Sequence, residues 1–325
     1  MSQLKERDYF FDNARAMLIF LVVFGHLLQP YTEASKHLSS LYLTIYSFHM
    51  PGFLFISGYF AKKAGQAGYL EKVSKKLLIP YVVFFGFFSF YYYLTGKEDS
   101  VKFDPFDPVF ALWFLLTLFF FHVILVIVKD YKPYYVLPIA IIISLFAGYS
   151  SNIDNYLSFS RTIMFFPIFY LGYLFTNKHI QTLKNKKLVP ISIIILIVFY
   201  VTYTYHPINA DWLLGDSPYM SLEGKPDLYS PIKRLLLYFI NLIPEKEKFY
   251  TYIGRRTMYV YLLHGLVIGV IRGFGIYPFK DSVSILTYVY LLLFTTIIVY
   301  ALSTRFVSKW TNPIINLQSP SKFKE

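Results

Sequence analysis

Residues 14–30 read Ala14-Arg15-Ala-Met-Leu-Ile-Phe-Leu-Val-Val-Phe-Gly-His26-Leu-Leu-Gln-Pro30. From Met17 to Leu28 the only ionisable side chain is His26. A run this long and this apolar is the composition of a helix that crosses a bilayer. Lys5 and Arg7 precede it and no small-residue cleavage site follows, so it reads as a retained first helix and not as a signal peptide.

The rest of the chain agrees with its beginning. Of 325 residues 56% are hydrophobic and only 15% are charged, against about a quarter charged in soluble domains. Aromatics make up 21%, from 34 Phe, 31 Tyr and 3 Trp. A soluble core has no room to hide so many rings, whereas Tyr and Trp suit the headgroup boundary of a bilayer. The net charge of +12 therefore does not call for nucleic acid, because basic residues collect on cytoplasmic loops as a topology signal. No cysteine is present, which excludes disulfides and thiolate metal sites.

Runs of sufficient length predict an all-α bundle of about ten transmembrane helices. They lie near 14–30, 41–61, 77–95, 109–128, 134–149, 161–176, 188–205, 232–244, 256–274 and 283–303. The eighth is the shortest and carries Lys233 and Arg234. The longest loop, 206–231, is polar and rich in Pro, Gly and Asp. Internal repeats, low-complexity tracts and a soluble domain are not evident. The chain reads as one membrane domain over 1–325, with a core of about 12–304 and a short cytoplasmic tail, 305–325. With the N-terminus inside, 22 of the 31 Lys and Arg residues fall on inner segments, and each inner segment holds at least two. That bias predicts both termini in the cytoplasm.

The candidate chemistry sits on a few helices. Asp12, Arg15 and His26 share the first. Eleven residues at 100° each leave Arg15 and His26 about 20° apart on one face, with ~16 Å between them along the axis. Arg15 lies near the inner boundary and His26 about mid-bilayer, where an ionisable group faces a polar cavity or a partner. The plainer alternative is an arginine that snorkels to lipid phosphates and a histidine in an interhelical hydrogen bond. The second helix holds Phe48-His49-Met-Pro51-Gly52 and then Ser57-Gly58-Tyr59. His49 falls at the depth of His26, and Pro51 strips the residue-47 carbonyl of its usual donor and kinks the helix. His49 either lines a cavity or bonds to a freed carbonyl.

The next loop carries Lys62, Lys63, Lys72, Lys75 and Lys76. Topology and anionic lipid account for it; a phosphate-binding rim is the sharper reading if Arg15 faces it. Trp113 opens the fourth helix. Arg161, near the outer face, is either a topology exception or a contact for an anionic or sugar ligand. Tyr261-Leu-Leu-His264 places a third histidine within the membrane, where a structural hydrogen bond and catalysis are both open.

Three segments, Arg15-x10-His26, Phe48-His-Met-Pro-Gly followed by Ser57-Gly-Tyr, and Tyr261-Leu-Leu-His264, together resemble the acyltransferase 3 superfamily, in particular its fucose 4-O-acetylase-like branch. Leu112-Trp-Phe-Leu and Phe166-Pro-Ile-Phe-Tyr-Leu-Gly172-Tyr are similar to the same branch, and the resemblance runs from Asp12 to about His264. It implies ten core helices in a bacterial plasma membrane. It also implies transfer of an acyl group, commonly acetyl from acetyl-CoA, to a hydroxyl of an extracytoplasmic or lipid-linked glycan. Arg15 and His26 match the family's functional Arg/His motif. The basic loop resembles its basic pair, with lysines here, which lack arginine's bidentate fork. Many relatives carry an acidic residue a few positions after the fourth-helix Trp, and 114–121 has none. Some relatives also carry an extracytoplasmic hydrolase-like domain after the last helix. Glycan transfer here then needs this core alone or a separate extracytoplasmic partner.

On this reading Arg15, Lys72, Lys75 and Lys76 hold the phosphates of acyl-CoA, a co-substrate and not a resident cofactor. The pantetheine arm, ~15–20 Å extended, runs along the Arg15–His26 face. His26 then acts as general base or becomes acylated, with His49 as orienter or second acid/base group. Asp12, Trp113, Arg161, Tyr261 and His264 support the site. Two histidines alone do not call for a metal. Membrane lipid is the remaining partner. A polysaccharide exporter, or an assembly subunit without chemistry, is the competing class.

Overall fold

The computed structural model describes residues 8–95, 101, 103–147, 156–215 and 242–316, and among them no strand occurs. The helices are α1 (Tyr9–Leu28), α2 (Lys36–Tyr46), α3 (His49–Tyr59), α4 (Tyr69–Leu94), α5 (Trp113–Val128), α6 (Pro133–Ala147) and α7 (Phe159–Leu174). They continue as α8 (Asn177–Leu183), α9 (Val189–Tyr205), α10 (Ala210–Leu214), α11 (Thr251–Arg255), α12 (Thr257–Gly273), α13 (Ile285–Leu302) and α14 (Arg305–Asn316).

Among the described residues, six helical segments are long and apolar enough to cross a membrane, and α6 and α12 are shorter apolar helices. Their outward faces are apolar too. Ile139, Ile142 and Ile143 on α6, Ile194, Ile197 and Val201 on α9, and Leu292, Leu293 and Ile297 on α13 are all exposed. Apolar bands of that extent suit lipid and not water. The chain is a multi-pass membrane protein.

Inside the bundle, close approach depends on small residues, as expected where lipid removes the hydrophobic drive between helices. α3 and α7 cross antiparallel with reciprocal contacts. A Cβ on Gly58 would overlap the Phe169 carbonyl, and one on Gly172 would overlap the Phe55 carbonyl. α1 is buried along most of its length, with Leu18, Ile19, Val23 and Leu28 fully enclosed. It begins at Asp8, whose side chain accepts from the Phe10 N–H at 3.0 Å, and the hydrogen bond satisfies an orphan donor of the first turn.

Three expectations change. The second span is not one helix. It breaks at Ser47–Phe48 into α2 and α3, and Phe48 leaves helical geometry with φ −132°. Pro51 does not kink a helix but sits in the first turn of a new one, where its missing N–H costs nothing. The loop expected at 206–231 begins with α10, whose Trp212 and Leu213 are buried. The start of the expected tail is α14, a helix packed on α4. The span expected at 232–244 lies largely outside the described residues.

Candidate active site

α1 and α12 run parallel, and three contacts fix their register. At one end a Cβ on Gly254, just before α12, would overlap the Asp12 carbonyl. Midway the His26 and His264 rings meet at 5.3 Å. Beyond them the Arg272 guanidinium donates to the His26 carbonyl at 3.2 Å and to Gln29 Oε1 at 2.7 Å. The first of these hydrogen bonds is required by the sequence, because Pro30 has no N–H to offer the carbonyl four residues before it.

The first end is basic. Asp12, buried, accepts from Arg15 at 3.3 Å and faces Arg255 Nε at 3.5 Å. One carboxylate thus orients two guanidiniums, and Arg15 also lies over the Phe60 ring at 4.9 Å. Both arginines remain about a third exposed, so solvent screens the pairs, and removing one partner costs less than the ~3–5 kcal/mol seen for fully buried pairs. Neighbouring Asn13 is fully buried. Its amide donates to the Pro244 and Lys246 carbonyls at 2.7 and 2.9 Å, and its Oδ1 accepts from Thr251 at 2.5 Å. These contacts lock the start of α1 against the 244–251 segment.

A cavity of about 540 Å³ opens at this end. Arg15, Lys63, Lys72, Lys76 and Arg255 line its mouth. Further in, the walls turn apolar and aromatic, with Met50, Phe53, Phe114, Leu118 and Tyr261. It reaches Val22 on α1, one helical turn or ~6 Å short of His26. The basic loop and Arg15 therefore face one space. Lys75 does not line it; its ammonium pairs with Glu71 at 2.6 Å, both well exposed. Lys62 is also apart. It caps the end of α7 by donating to the Tyr173 and Phe175 carbonyls, and its partial burial there lowers its pKa from the ordinary lysine value. His122, unnoticed in the sequence, lines the cavity and bonds to the Tyr69 hydroxyl at 2.6 Å. A lone histidine in the otherwise apolar 113–128 run was the available signal.

The three membrane histidines singled out in the sequence are not equivalent. His49 Nδ1 lies 2.8 Å from the Ile45 carbonyl, and His264 Nδ1 lies 3.1 and 2.6 Å from the Val260 and Tyr261 carbonyls. A carbonyl only accepts, so both rings hold their proton on Nδ1 and present Nε2 as a lone pair. His264 Nε2 is buried without a partner among the described residues, and so is His26 Nδ1. His49 stands farther off, with Tyr46 between; the Tyr46 ring is 4.6 Å from His49 and 6.5 Å from His26. Of the two histidines considered beside His26, His264 is thus the closer.

A glycine adjoins each member of the close pair. A Cβ on Gly25 would fall 2.7 Å from the Tyr46 ring, and one on Gly265 would fall 2.6 Å from the Phe110 ring. Phe110 in turn packs on His26 at 5.0 Å and on His264 at 5.6 Å. Its backbone has φ +52°, a left-handed conformation that costs a phenylalanine roughly 1–3 kcal/mol and gathers at functional sites. The Tyr261 hydroxyl holds this segment by donating to the Ala111 carbonyl. Nothing in the sequence pattern of 109–113 announced Phe110.

Trp113 and Arg161 form a separate cluster. The guanidinium stacks 4.7 Å over the indole, and its Nε donates to the Leu214 carbonyl at 3.2 Å. The Ser160 hydroxyl donates to the Gly215 carbonyl at 2.5 Å. Neither Trp113 nor Arg161 lines the basic cavity.

A family model described as an acyltransferase domain matches residues 8–304. The chain is similar to a nodulation protein NolL of Mesorhizobium japonicum, 25% identical over 186 residues, which are 53% of this chain and 48% of the relative. It is also similar to a nodulation protein NolL of Sinorhizobium fredii, 50% identical over 58 residues, which are 17% of this chain and 16% of that relative. The chain thus spans less than half the length of either relative. No solved structure matches.

Proposed function

The chain belongs to the acyltransferase 3 family, whose domain model covers residues 8–304, and we propose that it carries an acyl group, acetyl by preference, from cytoplasmic acyl-CoA to a hydroxyl of an extracytoplasmic or lipid-linked glycan. The observation that carries this reading is the cavity that joins five cationic side chains at its mouth to an apolar channel aimed at His26. Acyl-CoA has the same layout, an anionic nucleotide at one end and an acyl thioester at the end of a thin arm. Arg15, Lys63, Lys72, Lys76 and Arg255 would take the phosphates by charge-assisted hydrogen bonds. The arm would follow α1 for the ~16 Å from Arg15 to His26.

The chemistry falls to the histidine pair. His26 takes the proton from the acceptor hydroxyl as the oxygen attacks the thioester carbonyl. The carbon–sulfur bond breaks, an ester forms, and the CoA thiolate recovers the proton from His26. His264, with Nε2 as a lone pair, accepts a hydrogen bond from the His26 imidazolium during the step. A ten-helix bundle with the basic end and both termini in the cytoplasm of a plasma-membrane protein fits this traffic, because acyl-CoA is cytoplasmic. The Lys and Arg bias of the loops supports that orientation.

The test uses purified protein in sealed proteoliposomes, supplied with radiolabelled acetyl-CoA on one face and extracted envelope glycolipid. The reading predicts stoichiometric CoA release and glycan ester formation, only when acetyl-CoA meets the basic end. Glycan movement without acyl-CoA consumption would identify a carrier instead and end the proposal.

A further inference from the structure

A second large cavity, of about 560 Å³, lies at the basic end where α11, α12, α13 and α14 meet. Its cations are Arg255, Arg256 and Arg305, and no carboxylate lines it among the described residues. Arg255 stands between the two basic cavities and lines both. Its carboxylate partners, Asp12 and Glu247, are not on the wall of this one. Arg256 reaches over the Tyr252 ring at 5.8 Å.

Three hydroxyls on the wall are spent within the protein. Tyr259 donates to Asn312 Oδ1 at 2.9 Å, Thr304 to the Ala301 carbonyl at 2.8 Å, and Ser308 to the Arg305 carbonyl at 3.0 Å. The fourth, on Tyr252, is buried and has no partner among the described residues. A buried hydroxyl left unpaired is costly, and in a native structure it calls for a group that completes it. Arginines without a carboxylate on the wall, beside a donor with nothing to bond, have the chemistry of a phosphate site.

The surface that leads to the cavity narrows the kind of phosphate. Leu293, Ile297 and Tyr300 of α13 fall within about 60° of one another at 100° per residue, and all three are exposed. They form an apolar track of ~10 Å along the helix, and its last member, Tyr300, is on the cavity wall. On α14, which supplies Arg305 and Ser308 to that wall, Phe306 and Trp310 are exposed with their rings 6.1 Å apart. Exposed aromatic rings beside arginines mark the level of the lipid headgroups.

We propose that this cavity binds one anionic diacyl phospholipid of the cytoplasmic leaflet. Its phosphate pairs with Arg256 and Arg305, the Tyr252 hydroxyl donates to a phosphoryl oxygen, and an acyl chain lies along the α13 track. A free anion would use the arginines and leave the track without a purpose. Arginines that serve only as a topology signal account for the charge, but not for a cavity with a buried, unspent hydroxyl. The site needs no acyl transfer; only the choice of leaflet rests on the orientation proposed above.

Native mass spectrometry of the detergent-purified full chain tests this, with phosphatidylglycerol and phosphatidylcholine as probes. Wild type is expected to retain one phosphatidylglycerol and to bind it about tenfold more tightly than phosphatidylcholine. Arg256→Gln weakens phosphatidylglycerol about tenfold, and Tyr252→Phe about threefold. Tyr252→Phe leaves the lipid-free protein at least as stable to heat, because its hydroxyl has no protein partner to lose. Lys309→Gln removes a charge from an exposed position of α14 off the cavity wall and leaves the affinity unchanged. Equal binding of the two lipids, or equal losses in Lys309→Gln and Arg256→Gln, would show a diffuse basic surface and overturn the proposal. Displacement of the lipid by inorganic phosphate or by glycerophosphoglycerol, the headgroup without chains, would make this a free-anion site and overturn it too. So would an Arg256→Gln protein that keeps phosphatidylglycerol and loses acetyl-CoA, because the cavity would then belong to the donor nucleotide. If Arg256→Gln does not fold, unchanged phosphatidylglycerol affinity in folded Tyr252→Phe overturns the proposal by itself.

Discussion

The two ends of the α1–α12 pair differ in almost every physical respect. One opens into about 540 Å³ ringed by cations, and the other closes on about 10 Å³ walled by tyrosines. Both ends are tied to α1 by guanidiniums. At the open end Asp12 shares its charge between Arg15 and Arg255, and at the closed end Arg272 serves a carbonyl that a proline left bare. On the proposed reading the contrast is a division of labour: a long, highly charged co-substrate would need the preformed open mouth, while the reaction would need water kept out. The histidine pair lies at the boundary between the two regimes.

The sharpest way to break this comparison is at that boundary. His26→Ala and His26→Gln are both expected to lower acyl transfer by about 10³-fold or more, within the range for loss of a general base. Glutamine keeps hydrogen-bonding capacity, so substantial rescue by glutamine over alanine would reduce His26 to a structural partner. His264→Gln removes the neighbouring lone pair and is expected to cost about 10²-fold in kcat with little change in either KM. Equal effects of His264→Gln and His49→Gln would erase the distinction drawn from their positions.

Smaller effects test the open end. Arg15→Ala is expected to raise the KM for acyl-CoA by about tenfold, while kcat at saturation changes less, as for loss of a charge-assisted hydrogen bond. The finest contrast lies between neighbours. Lys76→Ala, on the cavity wall, is expected to raise that KM about threefold, whereas Lys75→Ala, paired outward with Glu71, is expected to leave it unchanged. Equal effects of the two lysines would mean that the loop acts as a diffuse charge and not as a shaped rim.

The sequence was most informative where helical spacing and chemistry coincide. Eleven residues between Arg15 and His26 put both on one face, and the structure places Arg15 on the cavity and His26 just beyond it. The lysines at 72 and 76 share a face of α4 at i, i+4, and both line the cavity, while Lys75 turns away. The sequence reading groups Lys75 with them, although 75 lies about 100° from 76 on a helix. Contacts between distant segments were less legible. The approach of α12 to α1 depends on Gly254, where a Cβ would overlap the Asp12 carbonyl, while Gly25 and Gly265 make room for Tyr46 and Phe110, and glycine's value there depends on which ring arrives. The break at Ser47–Phe48 was misread because Pro51 kinks a continuing helix as readily as it starts a fresh one. Phe110 owes its role to a strained backbone set by its surroundings, which no local pattern encodes.

The account's central claim is that donor binding and chemistry are separate along α1, Arg15 serving the first and His26 the second. Calorimetric titration of acetyl-CoA into purified His26→Gln and Arg15→Ala tests it most directly. The account predicts wild-type affinity for His26→Gln, despite its lost turnover, and an affinity about tenfold weaker for Arg15→Ala. Wild-type affinity in Arg15→Ala, or loss of binding in folded His26→Gln, would contradict it.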